Sequence, residues 1–321
     1  MSLDPVEAEH SLKISRVHLL LIKCMDRERY RSLKDLRKRA RQRQIFCGFD
    51  RRIYRLPRPG GAAPRTFKHS GKAGDIIYAL PTIRALGNGA NADLLVALDV
   101  PVGETGPESA AGGIMVDRRM FDMLTPLLAE QPYIRSIAPY SGERVDIDLD
   151  VFRDSPLPLD RLGISRWYFY FFGITADLSK PWLRVNPDRS FGDTVLLSRS
   201  ARYRNHSLDF RFLQRQPRLV FVGLEEEFRD MQRQIPRLEW APVRDFLQMA
   251  RMIAGCRLFI GNQSFPFSLA EALKVPRILE SDLETPNVVP TGADAYDVLF
   301  QRQFEHIVER LSSGRQAVLG A

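Results

Sequence analysis

The sequence predicts an α/β protein made of two parallel-sheet units that face each other across a cleft. The main observation is that short apolar segments of strand length alternate with segments of helical periodicity, over residues 64–186 and again from residue 191. Strands separated by helices are typical of parallel sheets with crossover helices. We therefore expect a basic N-terminal extension over residues 1–63 and two domains over residues 64–187 and 188–321, with a ligand cleft between the domains.

The extension differs from the rest of the chain in charge. Residues 1–60 hold 16 basic and 7 acidic residues, whereas the remainder holds 31 and 32, so the net charge of +8 belongs to the extension. Tyr30, Leu33, Leu36 and Ala40 lie at helical spacing between basic residues. An apolar stripe on a cationic helix is suited to an anionic membrane surface or a phosphate backbone, and a solvated arm is the alternative. We favour peripheral membrane contact over nucleic acid.

Cysteine usage and hydropathy indicate the compartment. Cys24, Cys47 and Cys256 are few, odd in number and without metal-ligand spacing, which is typical of a reducing compartment. The longest apolar run near the start, residues 17–22, is far shorter than the roughly 20 residues that span a bilayer. We expect a soluble cytoplasmic protein that attaches, if at all, to the inner membrane face.

The individual elements follow from the apolar patterns. In the first unit we predict strands at residues 66–69, 92–98, 134–138 and 145–151, and helices at residues 75–86, 118–131 and 165–172. In the second unit we predict strands at residues 194–198, 219–223, 257–261 and 277–280, and helices that begin near Glu225, Val243 and Ser264.

The turn that precedes the first predicted helix has the composition of a ligand-binding turn. Gly71 and Gly74 allow a ligand to approach the backbone, and the first helical amides favour an anion. The helix dipole is expected to keep the carboxylate of Asp75 ionised and able to accept a proton, although helix capping is the alternative role. His69 and Lys72 are further candidates at the mouth of the cleft.

Two segments together carry a resemblance to a known family. These are GKAGDIIYALPTIRAL, which contains Asp75, and LFIGNQSFPFSLAEALKVP, in which a strand runs into a polar turn and a helix. In this order they resemble the ADP-heptose:lipopolysaccharide heptosyltransferase-like glycosyltransferases, over roughly residues 64–311. The resemblance implies two Rossmann-like domains in the GT-B arrangement. It also implies that Asp75 is the general base and that Asn262, Gln263 and Ser264 form the sugar-donor diphosphate turn.

The second segment departs from the family pattern Asn-Asp-Ser-Gly-Pro-x-His. Gln263 replaces the acidic residue, Phe265 replaces the glycine and Ser268 replaces the histidine. These differences favour a sugar donor other than ADP-heptose. They also leave open a non-catalytic sugar-nucleotide-binding or scaffold protein of the same fold.

Two further segments are candidates for contact with the sugar donor. Arg202, Arg204 and Asn205 follow the first strand of the second unit, and the planar guanidinium of arginine suits phosphate oxygens. A basic surface loop is the alternative. Gly223 and Glu225 follow the next strand, where a carboxylate could accept hydrogen bonds from ribose hydroxyls or could simply stabilise the helix start.

A metal-dependent alternative rests on the run VDIDLDVF. On a strand, Asp146, Asp148 and Asp150 would share one face, and the first two could hold a divalent ion in a GT-A-type transferase. Charged residues on an edge strand are the other interpretation. We predict instead an inverting, metal-independent glycosyltransferase without a cofactor. It would move a sugar from a nucleotide-diphospho-sugar to a glycan or lipid-linked acceptor.

Overall fold

The computed structural model describes residues 13–53, 65–87, 92–102, 113–154 and 159–312. The chain forms two compact units. One comprises residues 1–56 with 154–157, and the other, here called the main body, comprises residues 57–153 and 158–321. The predicted boundary near residue 63 lies outside the described residues.

The N-terminal unit is helical. Helix α1 (Arg16–Met25) and helix α2 (Arg27–Ile53) are separated by Asp26, whose carboxylate accepts hydrogen bonds from the first amides of α2. The helix predicted for the apolar stripe is confirmed, since all four stripe residues lie on α2, where Ala40 is buried and Tyr30, Leu33 and Leu36 are half-buried. Across all described residues, no helix combines the length and apolar character needed to cross a membrane.

The first sheet of the main body has four parallel strands in the order β3-β2-β1-β4. Its elements in chain order are β1 (Arg65–His69), α3 (Ala73–Leu86), β2 (Ala92–Val96), α4 (Arg118–Ala129), β3 (Ile134–Pro139), β4 (Ile147–Asp148) and α5 (Ile164–Phe172). Helix α5 buries most of its aromatic side chains, as its composition predicts. The predicted strands and helices of this unit are confirmed, with one exception.

The exception is the strand predicted at residues 145–151. Only Ile147–Asp148 pairs with β1, and the chain then turns into a 3-10 helix at Leu149–Asp154. The Asp148 carboxylate accepts a hydrogen bond from the Asp150 amide at 3.0 Å, which draws the backbone out of the extended conformation. The predicted strand was therefore too long, because aspartate side chains compete with the neighbouring strand for backbone amides.

The second sheet has six parallel strands in the order β10-β9-β8-β5-β6-β7. Its elements are β5 (Val195–Ser198), β6 (Leu219–Phe221), α6 (Glu225–Gln234), β7 (Glu239–Trp240), α7 (Phe246–Gly255), β8 (Leu258–Asn262), α8 (Phe265–Leu273), β9 (Arg277–Glu280), β10 (Ala295–Val298) and α9 (Gln301–Ser312). The strand order is that of a dinucleotide-binding Rossmann fold. All strands and helices predicted for this unit are confirmed, whereas β7, β10 and α9 were not predicted.

The helices that start at the predicted ligand turns lie against each other. A Cβ atom on Gly74 of α3 would be 3.9 Å from Ser268 Oγ and 4.0 Å from the Phe265 Cα of α8. Trp182 connects the same two helices, because its indole N–H donates to the Ile77 carbonyl and its backbone N–H donates to the Ala272 carbonyl. The two turns, about 190 residues apart in the chain, therefore meet in space.

Candidate active site

The carboxyl ends of the strands on either side of a strand-order reversal bind ligands in open α/β sheets. In the first sheet the reversal lies between β1 and β4, and in the second it lies between β5 and β8. Asp75 follows β1, and the Asn262-Gln263-Ser264 turn includes the last residue of β8. The sheet topology therefore places both predicted turns at ligand-binding positions.

His69 supports the first turn from inside the protein. Its Nδ1 accepts a hydrogen bond from the Gly71 amide at 2.9 Å, so Nε2 carries the proton and donates to the Tyr168 hydroxyl at 2.8 Å. That hydroxyl in turn donates to the Asp75 carbonyl at 3.4 Å. Burial lowers the pKa of His69, which favours the neutral ring that this pattern requires. The expectation that His69 lies at the cleft mouth was wrong, because the side chain is fully buried.

Asp75 is the third residue of α3, and its carboxylate accepts a hydrogen bond from the Lys72 amide at 3.2 Å. Its side chain keeps a quarter of its surface exposed. Burial raises the pKa of Asp75, against the opposing effect of the Arg153 and Arg202 guanidinium groups. This direction differs from the one expected from the helix dipole. A raised pKa makes the carboxylate a stronger proton acceptor.

Gly71 is required by the packing around Asp75. A Cβ atom at this position would lie 2.6 Å from the His69 ring and 2.9 Å from the Asp75 carboxylate, and it would also overlap the Arg153 guanidinium. Any larger residue must therefore displace groups of the site. A Cβ atom on Gly74, by contrast, would have no neighbour closer than ordinary van der Waals distance, and its neighbours would be residues of α8.

Arg153 is a site residue that the sequence analysis missed. Its guanidinium lies 3.7 Å from Asp75 Oδ2 and 3.5 Å from Asp150 Oδ1, and it stacks over the Phe152 ring at 4.9 Å. Among the described residues, two of its nitrogens, Nε and Nη2, have no hydrogen-bond partner although both are buried. Arg153 can therefore stabilise the Asp75 carboxylate and still donate to an oxygen of a ligand.

The three aspartates of the metal-dependent alternative form hydrogen bonds and an ion pair with residues in or next to β1. Asp146 accepts hydrogen bonds from Thr66, Asp148 pairs with Lys68 at 3.0 Å, and Asp150 accepts from the Ser70 amide at 2.9 Å. Within the described ranges, no group of three or more His, Cys, Asp or Glu side chains is arranged to hold a metal ion. The carboxylates join β4 and the 3-10 helix to the neighbouring strand.

Asn262 organises the turn on the second sheet. It is fully buried; its Oδ1 accepts from the Ser200 amide at 3.0 Å, and its Nδ2 donates to the carbonyls of Ser200 and Arg202. Asn262 thereby fixes the segment that carries Arg202. The Arg202 guanidinium lowers the pKa of Asp75, so the charges of these two predicted residues act on each other across the two turns.

Gln263 and Ser264 have different positions. The Gln263 amide donates to the Thr285 carbonyl at 2.6 Å and to Asn287 Oδ1 at 3.0 Å, which a carboxylate in its place could not do. Ser264 is the N-cap residue of α8, but its hydroxyl donates to the Asn262 carbonyl instead of capping the helix. The first-turn amides of α8 are thus not capped by this side chain, which favours an anionic ligand there.

Arg204 and Asn205 shape the same loop rather than facing a ligand. Arg204 donates to the Ser200 carbonyl at 2.7 Å and pairs with Asp230 at 2.5 Å. The backbone amide of Asn205 donates to the Glu280 carboxylate at 2.6 Å. Glu280 also forms a buried, bidentate pair with Arg199, which the sequence analysis did not identify.

The predicted residues after β6 contact other side chains of the protein. Gly223 has φ of +153° and accepts a hydrogen bond from the Trp240 indole through its carbonyl. Glu225 is exposed and pairs with Arg229 on the next turn of α6. Glu227 caps α6 by accepting from the Leu224 amide at 3.3 Å, and burial raises its pKa. Glu227 thus supplies one half of a capping box, whereas the N-cap residue Leu224 has no side-chain acceptor for the reciprocal hydrogen bond.

Solved structures resemble this chain, whereas no protein-family model and no curated protein sequence matches it. E. coli heptosyltransferase WaaC with ADP-2-deoxy-2-fluoro heptose is similar with a TM-score of 0.52 and 12% identity, over 76% of this chain and 98% of that chain. E. coli ADP-heptose LPS heptosyltransferase II is similar with a TM-score of 0.54 and 13% identity, over 79% and 100%. The expected GT-B fold is confirmed: this chain has the fold of the heptosyltransferases.

Proposed function

We propose that this protein is an inverting, metal-independent glycosyltransferase that uses a nucleotide-diphospho-sugar. The observation that carries the proposal is the ion pair of Asp75 with Arg153 beside the adjoining first turns of α3 and α8, with Arg202 on the loop that Asn262 holds by a hydrogen bond. The reaction needs a proton acceptor, which one cation holds in place here, and a second cation for phosphate oxygens. The shared fold supports the same assignment.

The reaction would proceed by a single displacement. The acceptor hydroxyl attacks the anomeric carbon, its proton passes to the Asp75 carboxylate, and the bond from that carbon to the diphosphate oxygen breaks with inversion. Arg202 and the first-turn amides of α8 would stabilise the negative charge on the departing nucleoside diphosphate. Arg153 would act as a positioning residue that sets the orientation and proton affinity of Asp75.

The residues of the second turn bear on the identity of the sugar donor. WaaC is solved with an ADP-heptose analogue, but the side chain of Gln263 is committed to the loop at residues 282–287, and Phe265 packs on Phe246 at 4.2 Å. We propose a donor other than ADP-heptose, with a glycan or lipid-linked acceptor. Calorimetry with a panel of nucleotide sugars, followed by detection of the glycosylated product, tests this. Absence of binding by every nucleotide sugar would contradict the proposal.

A non-catalytic sugar-nucleotide-binding protein is the second candidate. It is favoured by the turn residues, since Gln263 binds the protein's own backbone and the Ser268 hydroxyl donates to the Phe265 carbonyl at 2.6 Å. The same panel separates the two functions. Binding of a nucleotide sugar without any product from a range of acceptors would favour this candidate over the transferase.

The pH dependence of turnover tests the role of Arg153. Its guanidinium lowers the pKa of Asp75, so Arg153→Gln removes that effect and the pKa rises further. Transfer requires the ionised carboxylate. As the pH is lowered, kcat/KM therefore begins to fall at a higher pH in the variant than in the wild type, so the acidic limb of the pH profile moves to higher pH. Arg118→Gln, on the exposed face of α4, is the control and leaves the acidic limb in place. An acidic limb at the wild-type pH in Arg153→Gln would show that Arg153 does not set the pKa of Asp75.

We further propose that this protein is cytoplasmic and that its N-terminal unit attaches it to an anionic membrane. On α1, Val17, Leu20, Leu21 and Met25 lie on one face and are all exposed. Eight exposed basic side chains accompany them on α2: Arg27, Arg29, Arg31, Lys34, Lys38, Arg39, Arg41 and Arg43. An apolar face beside a cationic one is typical of helices that lie in the membrane interface.

Vesicle flotation tests the attachment. The protein should float with vesicles containing phosphatidylglycerol and not with pure phosphatidylcholine. The double variant Leu20→Ser/Leu21→Ser should lower the bound fraction about tenfold or more, because each exposed leucine loses its apolar burial in the interface. Leu283→Ser, an exposed leucine of the main body, is the matched control. Equal binding to both vesicle types, or no effect of the double variant, would reject the attachment.

A further inference from the structure

Tyr203, in the loop that follows β5, has a backbone conformation that tyrosine rarely adopts. Its φ is +54°, in the left-handed region that favours glycine, and among the described residues it is the one aromatic residue with a positive φ. This conformation is unfavourable for a large side chain, so it persists only where the surroundings fix it. Residues held in this way cluster at ligand-binding sites.

The Asn262 side chain fixes the backbone on both sides of Tyr203. Its Nδ2 donates to the Arg202 carbonyl at 2.5 Å and to the Tyr203 carbonyl at 3.4 Å, which are the carbonyls just before and just after the Tyr203 Cα. The Ser200 hydroxyl also donates to the Arg202 carbonyl, at 3.2 Å. Asn262 is fully buried at the end of β8, so these hydrogen bonds attach the loop to the turn at which we place the sugar-donor diphosphate.

The Tyr203 ring packs against the side chain of Arg202. The guanidinium carbon of Arg202 lies 5.4 Å from the ring centroid, which is within the range of a cation–π interaction. Tyr203 is half-buried whereas Arg202 is exposed, so the ring is the better fixed of the two partners. The same guanidinium lowers the pKa of Asp75, so its charge acts across the two turns.

An exposed arginine side chain has many rotamers, and holding it in one of them on binding costs conformational entropy. A guanidinium that already stacks on a fixed ring loses less of this entropy, and the N–H groups in its plane can still donate to an oxyanion. We propose that Tyr203 is a positioning residue that holds the Arg202 guanidinium in place for the diphosphate of the sugar donor. This inference rests on the proposed function, in which Arg202 binds that diphosphate.

Phosphorus NMR titration with inorganic pyrophosphate, ADP, UDP and GDP tests the proposal, because each probe presents a diphosphate group. Tyr203→Leu removes the ring and should raise the dissociation constant of every probe that the wild type binds about 2- to 5-fold, the range expected from one exposed cation–π contact. Tyr203→Phe keeps the ring and should restore the affinity. Tyr203→Asn, in which the new residue tolerates the left-handed conformation, should weaken binding as Tyr203→Leu does.

Two comparisons separate an effect through Arg202 from a general effect on the fold. Tyr296→Leu removes the ring of another cation–π pair, in which the Arg310 guanidinium carbon lies 4.6 Å from the Tyr296 centroid, and it should leave the affinity unchanged. In an Arg202→Gln background, Tyr203→Leu should cause no further loss, because the two side chains act as one unit.

Unchanged affinity in Tyr203→Leu, equally weak binding by Tyr203→Phe, an equal loss in Tyr296→Leu or the same further loss in the Arg202→Gln background would each overturn the inference and leave the proposed function in place. Failure of the wild type to bind any of the probes would contradict the proposed function and, with it, this inference.

Discussion

Asp75→Asn is expected to abolish sugar transfer while sparing the binding of the nucleotide sugar. Asparagine has the same shape and can still accept the hydrogen bond from the Lys72 amide, so the turn should keep its conformation. It cannot take up the proton of the acceptor hydroxyl. Loss of a general base lowers kcat by about 10² to 10⁴-fold. The measurement is steady-state product formation together with the dissociation constant of the sugar donor by calorimetry.

The matched control for this change is Asp117→Asn. Asp117 also lies at a helix start, where its carboxylate accepts a hydrogen bond from the Met120 amide at 2.6 Å, but it caps α4 away from the site. This variant should retain nearly all activity. Full turnover in Asp75→Asn would remove the assignment of Asp75 as the base. Parallel loss of donor binding would show that the residue supports the fold of the turn.

Glu280→Ala is expected to have the largest effect on stability. The side chains of Arg199 and Glu280 are 5% and 1% exposed and form two hydrogen bonds of 2.7 Å. Removal of the carboxylate leaves the buried Arg199 guanidinium without its counter-charge. It also leaves the backbone amide of Asn205 without its acceptor. Breaking a buried pair in this way costs about 3–5 kcal/mol. Urea denaturation followed by tryptophan fluorescence measures the change in the free energy of unfolding.

The comparison for this prediction is Asp122→Ala, which breaks the exposed pair between Arg118 and Asp122 on α4. That loss should be about 0.3–0.5 kcal/mol, because exposed pairs in high-dielectric surroundings contribute little. The double variant Arg199→Met/Glu280→Leu should recover part of the stability by removing both buried charges. Equal destabilisation by Glu280→Ala and Asp122→Ala would contradict the account of this pair.

Local patterns were sufficient to predict most of the fold. The apolar run at β8 followed by a polar turn and a helix depends on neighbouring residues only, and its elements are confirmed at Leu258–Asn262 and Phe265–Leu273. The elements that were missed have weak local signals. Strand β7 has two residues, and β10 has a charged Asp297 among partly buried residues. Helix α9 could have been found from Phe304, Ile307 and Val308, which lie at helical spacing and are buried.

The surroundings of the site could not be predicted, since they depend on contacts between distant residues. Arg153 reaches Asp75 because β4 pairs with β1, and a two-residue strand gives no signal for that pairing. The partners of Gln263 lie about 20 residues further along the chain, in an irregular loop. The neutral, buried state of His69 likewise follows from Tyr168, which lies 99 residues away.

The most direct test is a crystal of the protein soaked with a mixture of nucleotide sugars. The account predicts that the diphosphate binds at the first turn of α8 within reach of Arg202, with the anomeric carbon of the sugar facing Asp75. A nucleotide bound away from the start of α8, or a sugar on the far side from the Asp75 carboxylate, would contradict it.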